Sequence, residues 1–150
     1  MSLEQKIAGD IKDAMLAREA AKLEALRAIK AAILLAKTEK GGGADLTADA
    51  ELKLLQKLVK QRRESAEIYV QNARPELAEK ETLEASVIEA YLPEQLSEDE
   101  IAEAVKKIIT QLGAASIKDL GKVMGIASKS LAGKADGKTV AETVKKLLAS

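Results

Sequence analysis

One stretch, YLPEQLSEDE at Tyr91 to Glu100, does most to limit what this chain can become. Pro93 has no backbone N–H and disfavours helical geometry at Leu92, so a helix arriving from the N-terminal side stops there. Four residues later Ser97 can open another helix. Its hydroxyl is placed to accept from the N–H of Glu100, and the Glu100 carboxylate from the N–H of Ser97, a capping box. Glu98, Asp99 and Glu100 add negative charge where the first turn of a helix is partially positive. A helix end and a helix start this close predict a joint. It divides the chain into an N-terminal helical subdomain, residues 1–92, and a compact C-terminal subdomain, residues 93–150.

Both sides of that joint suit helices. The apolar share of 47% is rich in alanine and leucine, with no Phe or Trp and with tyrosine at Tyr69 and Tyr91 alone, so no run reads as a β-branched and aromatic strand. The predicted fold class is all-α: an N-terminal bundle of about four long helices and a C-terminal group of three. The absence of cysteine removes disulfides and thiol chemistry. The absence of histidine removes the commonest general base and zinc ligand. No metal or cofactor is predicted. The longest apolar run, Ala31 to Ala36, is too short to span a bilayer, and the first residues resemble neither a signal peptide nor a transit peptide. The expectation is a soluble cytoplasmic protein with no membrane partner.

Periodicity places the elements. Leu3, Ile7, Ile11 and Met15 form one helical stripe, and Leu23, Leu26, Ile29 and Ile33 a second. Arg18 and Lys22 interrupt the shared face, which predicts a corner near Ala17 to Ala20; one long helix is the alternative. Lys37 and Lys40, then Gly41 to Gly43, end the second helix. Thr47 caps a third, carrying Leu52, Leu55, Val59, Ala66 and Tyr69 inward. Pro75 starts a fourth, with Leu83, Val87 and Tyr91 on one face. Beyond the joint, Ser97 to Leu112 buries Ile101, Val105, Ile108 and Leu112, and Gly113 closes it. A further capping box, Ser116 with Asp119, opens a helix to Leu131 whose Ile117, Leu120, Met124, Ala127 and Leu131 fall within roughly 80°. After a loop from Ala132 to Gly137, the last helix carries Val140, Val144, Leu147 and Leu148.

Few residues offer chemistry. GKADGKT at Gly133 to Thr139 has three residues between its first glycine and its Gly-Lys-Thr, where a nucleotide-binding loop needs four, and it comes after a helical segment instead of a strand. Ser128 and Lys129 would need a desolvated lysine to act as a catalytic pair, yet Lys129 belongs to a polar face. Lys60 to Arg63 is a basic cluster in which Arg62 is expected to pair with Glu81 or Glu84. The most informative surface lies near the C-terminus. From Ser116 to Ser150 there are seven lysines and three acids, a local excess of positive charge on a chain of zero net charge. Lys118, Lys122 and Lys129 fall within roughly 40° of one another on a helical wheel, flanked by Gly121 and Gly125. Lys134, Gly137 and Lys138 come at the start of the last helix, where free amides favour anions. The plain account is a solvated lysine face with glycines for close helix packing; the functional account is a phosphate-binding face. Without aromatic neighbours it would read backbone and shape, not stacked bases.

LRAIKAAI at Leu26 to Ile33, KQRRESAEIY at Lys60 to Tyr69, ARPELAEKE at Ala73 to Glu81, YLPEQLSEDEI at Tyr91 to Ile101, GAASIKDLGKVMG at Gly113 to Gly125 and ADGKTV at Ala135 to Val140 together resemble the YqeY family. That family is similar to the tail domain of the B subunit of the tRNA-dependent amidotransferase. The resemblance implies two helical subdomains and a link to tRNA, with Lys118, Lys122 and Gly125 and the turn Ala135 to Lys138 as candidate contacts. The catalytic arrangements of the amidotransferase, a Ser-Ser-Lys amidase and a metal-assisted phosphorylating domain, have no counterpart here. Three functions are compatible with this reading: a non-catalytic tRNA-associated module, a helical adaptor whose N-terminal helices bind a protein, and an accessory part of a glutamine-dependent carbon–nitrogen ligase.

Overall fold

The computed structural model of the chain describes residues 2–39 and 45–149. Among them are seven α-helices and one 3-10 turn, with no strand, so the fold is all-α. No described helix is long and apolar enough to cross a membrane. Lys40 and Gly41 to Gly43, the predicted end of the second helix, lie outside the described residues. The chain divides into two compact units, Met1–Leu92 and Pro93–Ser150.

The first unit holds α1 (Leu3–Leu16), α2 (Ala20–Glu39), α3 (Ala48–Gln71) and α4 (Pro75–Glu89). The corner between α1 and α2 falls at Ala17 to Glu19, where Arg18 has a φ of 57° and the Glu19 N–H reaches back to the Ala14 carbonyl at 3.0 Å. Ala73 ends α3 the same way, with φ 57° and an Arg74 N–H to Tyr69 carbonyl bond of 2.8 Å. Both turns hold a side chain in the left-handed region that glycine ordinarily fills, a local strain of about 1 kcal/mol each. The core joins Ile7, Leu26, Ile29, Ile33, Leu55 and Ile88. At its edge the Tyr91 hydroxyl donates to Asp10, and Lys6 sits 5.3 Å from the Tyr91 ring centre. Burial and the Asp10 carboxylate hold the Tyr91 hydroxyl well above the usual phenol range.

Two predicted inward positions of this unit face out. Met15 is 55% exposed and Ala14 is buried in its place. Steps of four drift about 40° each, so the stripe from Leu3 has rotated off the core by Met15, whereas Ile7 and Ala14 stay nearly in line. Leu83 is 49% exposed, and α4 turns Ala78, Ala85 and Ile88 inward instead. α4 packs against both α2 and α3, and its alanines let those neighbours approach.

The second unit holds α5 (Glu98–Leu112), the 3-10 turn (Ile117–Asp119), α6 (Leu120–Ser130) and α7 (Gly137–Ala149) around Ile101, Val105, Val123, Val140, Val144 and Leu148. The Ser97 capping box forms: Ser97 Oγ accepts from the Glu100 N–H at 3.2 Å, and Glu100 Oε1 from the Ser97 N–H at 3.0 Å. Gly113 closes α5 at φ 65°. Leu112, predicted inward, is 40% exposed: it keeps within about 20° of Ile101 on the wheel but is the last residue of α5, at the end of the helix before the left-handed Gly113. The capping box predicted at Ser116 does not form. Ser116 Oγ accepts from the Lys118 N–H at 3.3 Å, while Asp119 accepts from the Ala115 N–H at 3.0 Å, an arrangement that winds residues 117–119 as a 3-10 turn. That tighter turn shifts the phase of α6 relative to a continuous α-helix from Ser116. Ile117 is left exposed, and Val123, absent from the predicted stripe, becomes fully buried.

Replacing Ser97 with alanine is expected to lower stability by about 1 kcal/mol at neutral pH, measured by urea denaturation. The Ser97 backbone N–H, then its hydroxyl, hold the Glu100 carboxyl below its usual range. A depressed folded-state value adds stability above the ordinary carboxylate range and loses it as pH falls through the folded value. The gap between native and Ser97→Ala proteins therefore narrows in acid; a gap that widens there contradicts the assignment.

Candidate functional site

The lysine surface belongs entirely to the second unit, and its parts are positioned by different elements. Lys122 and Lys129 lie on α6, two turns apart and so about 10 Å along its axis on one face. Their face is opposite Val123 and Ala127, which fix the helix against the core. Gly121 and Gly125 form the adjoining strip of α6, one turn apart. Lys118 sits on the 3-10 turn, so it leaves the wheel that grouped it with the other two. Lys134 lies in the loop after α6, and Gly137 and Lys138 open α7.

All eight residues are exposed. A methyl group added at Gly121, Gly125 or Gly137 would meet nothing within 4 Å. Close helix packing among the described residues therefore does not explain the two glycines of α6. Each costs that helix about 1 kcal/mol relative to alanine.

The loop that carries Lys134 is held by contacts with no local sequence signal. The Gln95 amide nitrogen donates to the Pro93 carbonyl at 2.8 Å and to the Gly133 carbonyl at 2.7 Å. The Leu96 N–H donates to the Lys134 carbonyl at 2.9 Å. With Ala135 buried beneath, the Lys134 backbone is pinned while its side chain stays in solvent. Gln95 is thus a positioning residue that helix periodicity could not reveal, since its partner is 38 positions away.

Charge is arranged differently in the two units. Among the described residues every ion pair lies in the first: Lys37 with Glu4 at 2.9 Å, Lys80 with Glu24 at 3.2 Å, Arg63 with Glu89 at 3.0 Å and Arg62 with Glu84 at 3.4 Å are the principal ones. The expected structural role of Arg62 is met by Glu84. Lys118, Lys122, Lys129, Lys134 and Lys138 have no carboxylate partner among the described residues. An unneutralised lysine is free to meet a phosphate and release its counterion.

Catalytic arrangements are not built from these groups. Lys129 is exposed beside Ser128, so nothing strips its ammonium of water. Among the described residues no cluster of carboxylates, histidines or cysteines could hold a metal ion.

A family model for YqeY-like proteins matches residues 4–148 of the chain. The chain belongs to the YqeY-like family. A curated relative, altered inheritance of mitochondria protein 41, mitochondrial, from Pyrenophora tritici-repentis (strain Pt-1C-BFP), is 32% identical over 148 residues. The match covers 95% of this chain and 79% of that relative. The matched span of the YqeY-like domain includes both units and all eight residues of the lysine surface.

Proposed function

We propose that this YqeY-like protein is a non-catalytic module that binds the folded body of tRNA through its phosphate backbone. Lys118, Lys122, Lys129, Lys134 and Lys138 supply the cations, and Gly121, Gly125 and Gly137 mark where the polymer comes close. The observation that supports this most is the contrast in charge pairing: the first unit pairs many of its cations internally, whereas the five lysines are exposed and lack carboxylate partners among the described residues. Glycines that face open solvent at a cost in helix propensity add to it. The likeness of the family to the amidotransferase tail domain supplies tRNA as the polymer. As an accessory part of a glutamine-dependent carbon–nitrogen ligase, the chain would bring tRNA to a partner that supplies the chemistry. A helical adaptor is the second reading, favoured by Leu16 at 75%, Val70 at 66% and Leu35 at 61% exposure on the first unit.

The test is retention of tRNA by the immobilised protein at about 50 mM salt, followed by a salt series. Changing Lys118, Lys122 and Lys138 together to alanine is expected to weaken binding at least tenfold and to flatten the log–log salt slope by about 2–3. The corresponding arginine variant retains binding. No retention by the native protein at low salt, or an unchanged slope in the alanine variant, overturns the proposal. The reading also places the protein in the cytoplasm, whereas the name of the Pyrenophora relative assigns that protein to mitochondria. Cell fractionation decides the compartment for this chain.

A further inference from the structure

The helix α2 has one apolar face that the fold of its own unit buries, and a second row, apolar only at its centre, that the fold leaves uncovered. Leu26, Ile29 and Ile33 are buried. On the other side Arg27, Ala31, Leu35 and Glu39 are all exposed, and they stand four residues apart in a row that winds about 120° around the helix from end to end. Rows of this spacing are the ridges by which helices most often pack on one another. Leu35 also shares a groove with the half-buried Leu54 and Leu58 of α3, so the row borders an apolar seat on the same unit.

The row has a particular symmetry about Ile33. Arg27 and Glu39 lie six positions before and after it, and Ala31 and Leu35 two positions before and after it. Turned end for end about that point, the row presents acid where it had base, and a large side chain where it had a small one. Neither Arg27 nor Glu39 has an ion-pair partner among the described residues. A surface complementary to its own reversed copy is what a two-fold interface requires.

We infer that the occupant of this face is a second copy of the chain, its α2 running in the opposite sense and crossing at the inclination such rows favour, about 50° away from antiparallel. In that arrangement Arg27 of each protomer meets Glu39 of its partner, and Leu35 of each fills the space above the other's Ala31. Running in the opposite sense also sets the two helix macrodipoles head to tail, which is favourable. The row runs about 18 Å from Arg27 to Glu39, long enough for two reciprocal ion pairs to flank the apolar centre. The proposal is independent of tRNA binding, because none of the lysines of the second unit takes part.

Sedimentation equilibrium on the full chain, with charge-reversed variants, tests it. The native protein is expected to dimerise. Arg27→Glu and Glu39→Arg should each weaken the dimer about tenfold or more, since both reciprocal pairs become like-charged. Mixing those two variants should restore dimers of one copy of each, and the double variant should again dimerise alone. Circular dichroism checks that each exposed substitution leaves the helices intact. Because the chain has no cysteine, Ala31→Cys mixed with Leu35→Cys gives a second readout: oxidation should link the two variants to each other. A native chain that stays monomeric at about 0.2 mM, far above the micromolar range of ordinary interfaces, overturns the inference. So does a dimer indifferent to both charge reversals, or a face that captures a different protein while the native chain remains a monomer.

Discussion

Replacing Leu26 with alanine is expected to lower the unfolding free energy by about 2–5 kcal/mol. Leu26 has no exposed surface and packs in the core of the first unit with Ile29, Leu55 and Ile88. That core contains no Phe or Trp, so its cohesion comes from many aliphatic contacts of similar size. Truncation removes three carbons and leaves a void. The helices around it are held at a close distance by Ala25 and Ala85, both fully buried, and have little room to collapse inward. Against a total of about 5–15 kcal/mol such a loss is large. Leu16→Ala, at a position 75% exposed, is expected to change stability by no more than about 0.5 kcal/mol. Urea denaturation of both variants checks the pair. A Leu26 loss no bigger than the Leu16 loss would falsify the assignment of the core.

Arg62→Met is expected to cost about 2–3 kcal/mol, with much of that recovered in the double variant Arg62→Met with Glu84→Leu. Arg62 Nε stands 3.4 Å from Glu84 Oε2, with the two side chains 20% and 10% exposed. The charge of Glu84 has already been taken largely out of water. Burial, and next the neighbouring Glu81, push its carboxyl above the usual range, while Arg62 pulls it back down. Removing the guanidinium leaves the penalty and deletes the compensation. A carboxyl raised in the folded state favours folding when protonated, and that advantage disappears as pH rises through the folded value. The Arg62→Met deficit should thus be greatest near neutral pH and shrink in acid. Two losses that simply add in the double variant would show that the residues do not act as a pair.

How far these effects were readable beforehand depends on the range of the interaction. The Ser97–Glu100 box, the left-handed Gly113 and the start of α4 at Pro75 are set by neighbours within four residues, and all are present. The pairing of Arg62 with Glu84 was also foreseeable, because a cation at the edge of an apolar face needs a carboxylate from the next helix. A subtler competition sets the second cap. Ser116 and Asp119 have the right spacing for a reciprocal box, but Asp119 bonds to Ala115 and winds a 3-10 turn. One tight turn then moved Val123 to the centre of the second core and Ile117 to its surface.

The lysine surface divides along the same line. Lysines on a polar helical face could be read from spacing alone. Their lack of carboxylate partners, and the open space before Gly121 and Gly125, could not, since both depend on what other segments leave uncovered. The loop at Lys134 depends on Gln95, whose amide reaches across 38 positions to Gly133.

Amino-acid order alone determined that this chain is helical, where most of its helices begin and end, and which residue types could carry chemistry. Those properties arise from backbone geometry and hydrogen bonds within a turn or two. Tertiary structure alone decided which side of each helix is buried, why α4 turns Ala85 inward and Leu83 outward, and which charges are neutralised. A helix of leucine and alanine has more than one apolar face to offer, and only its neighbours in space choose between them.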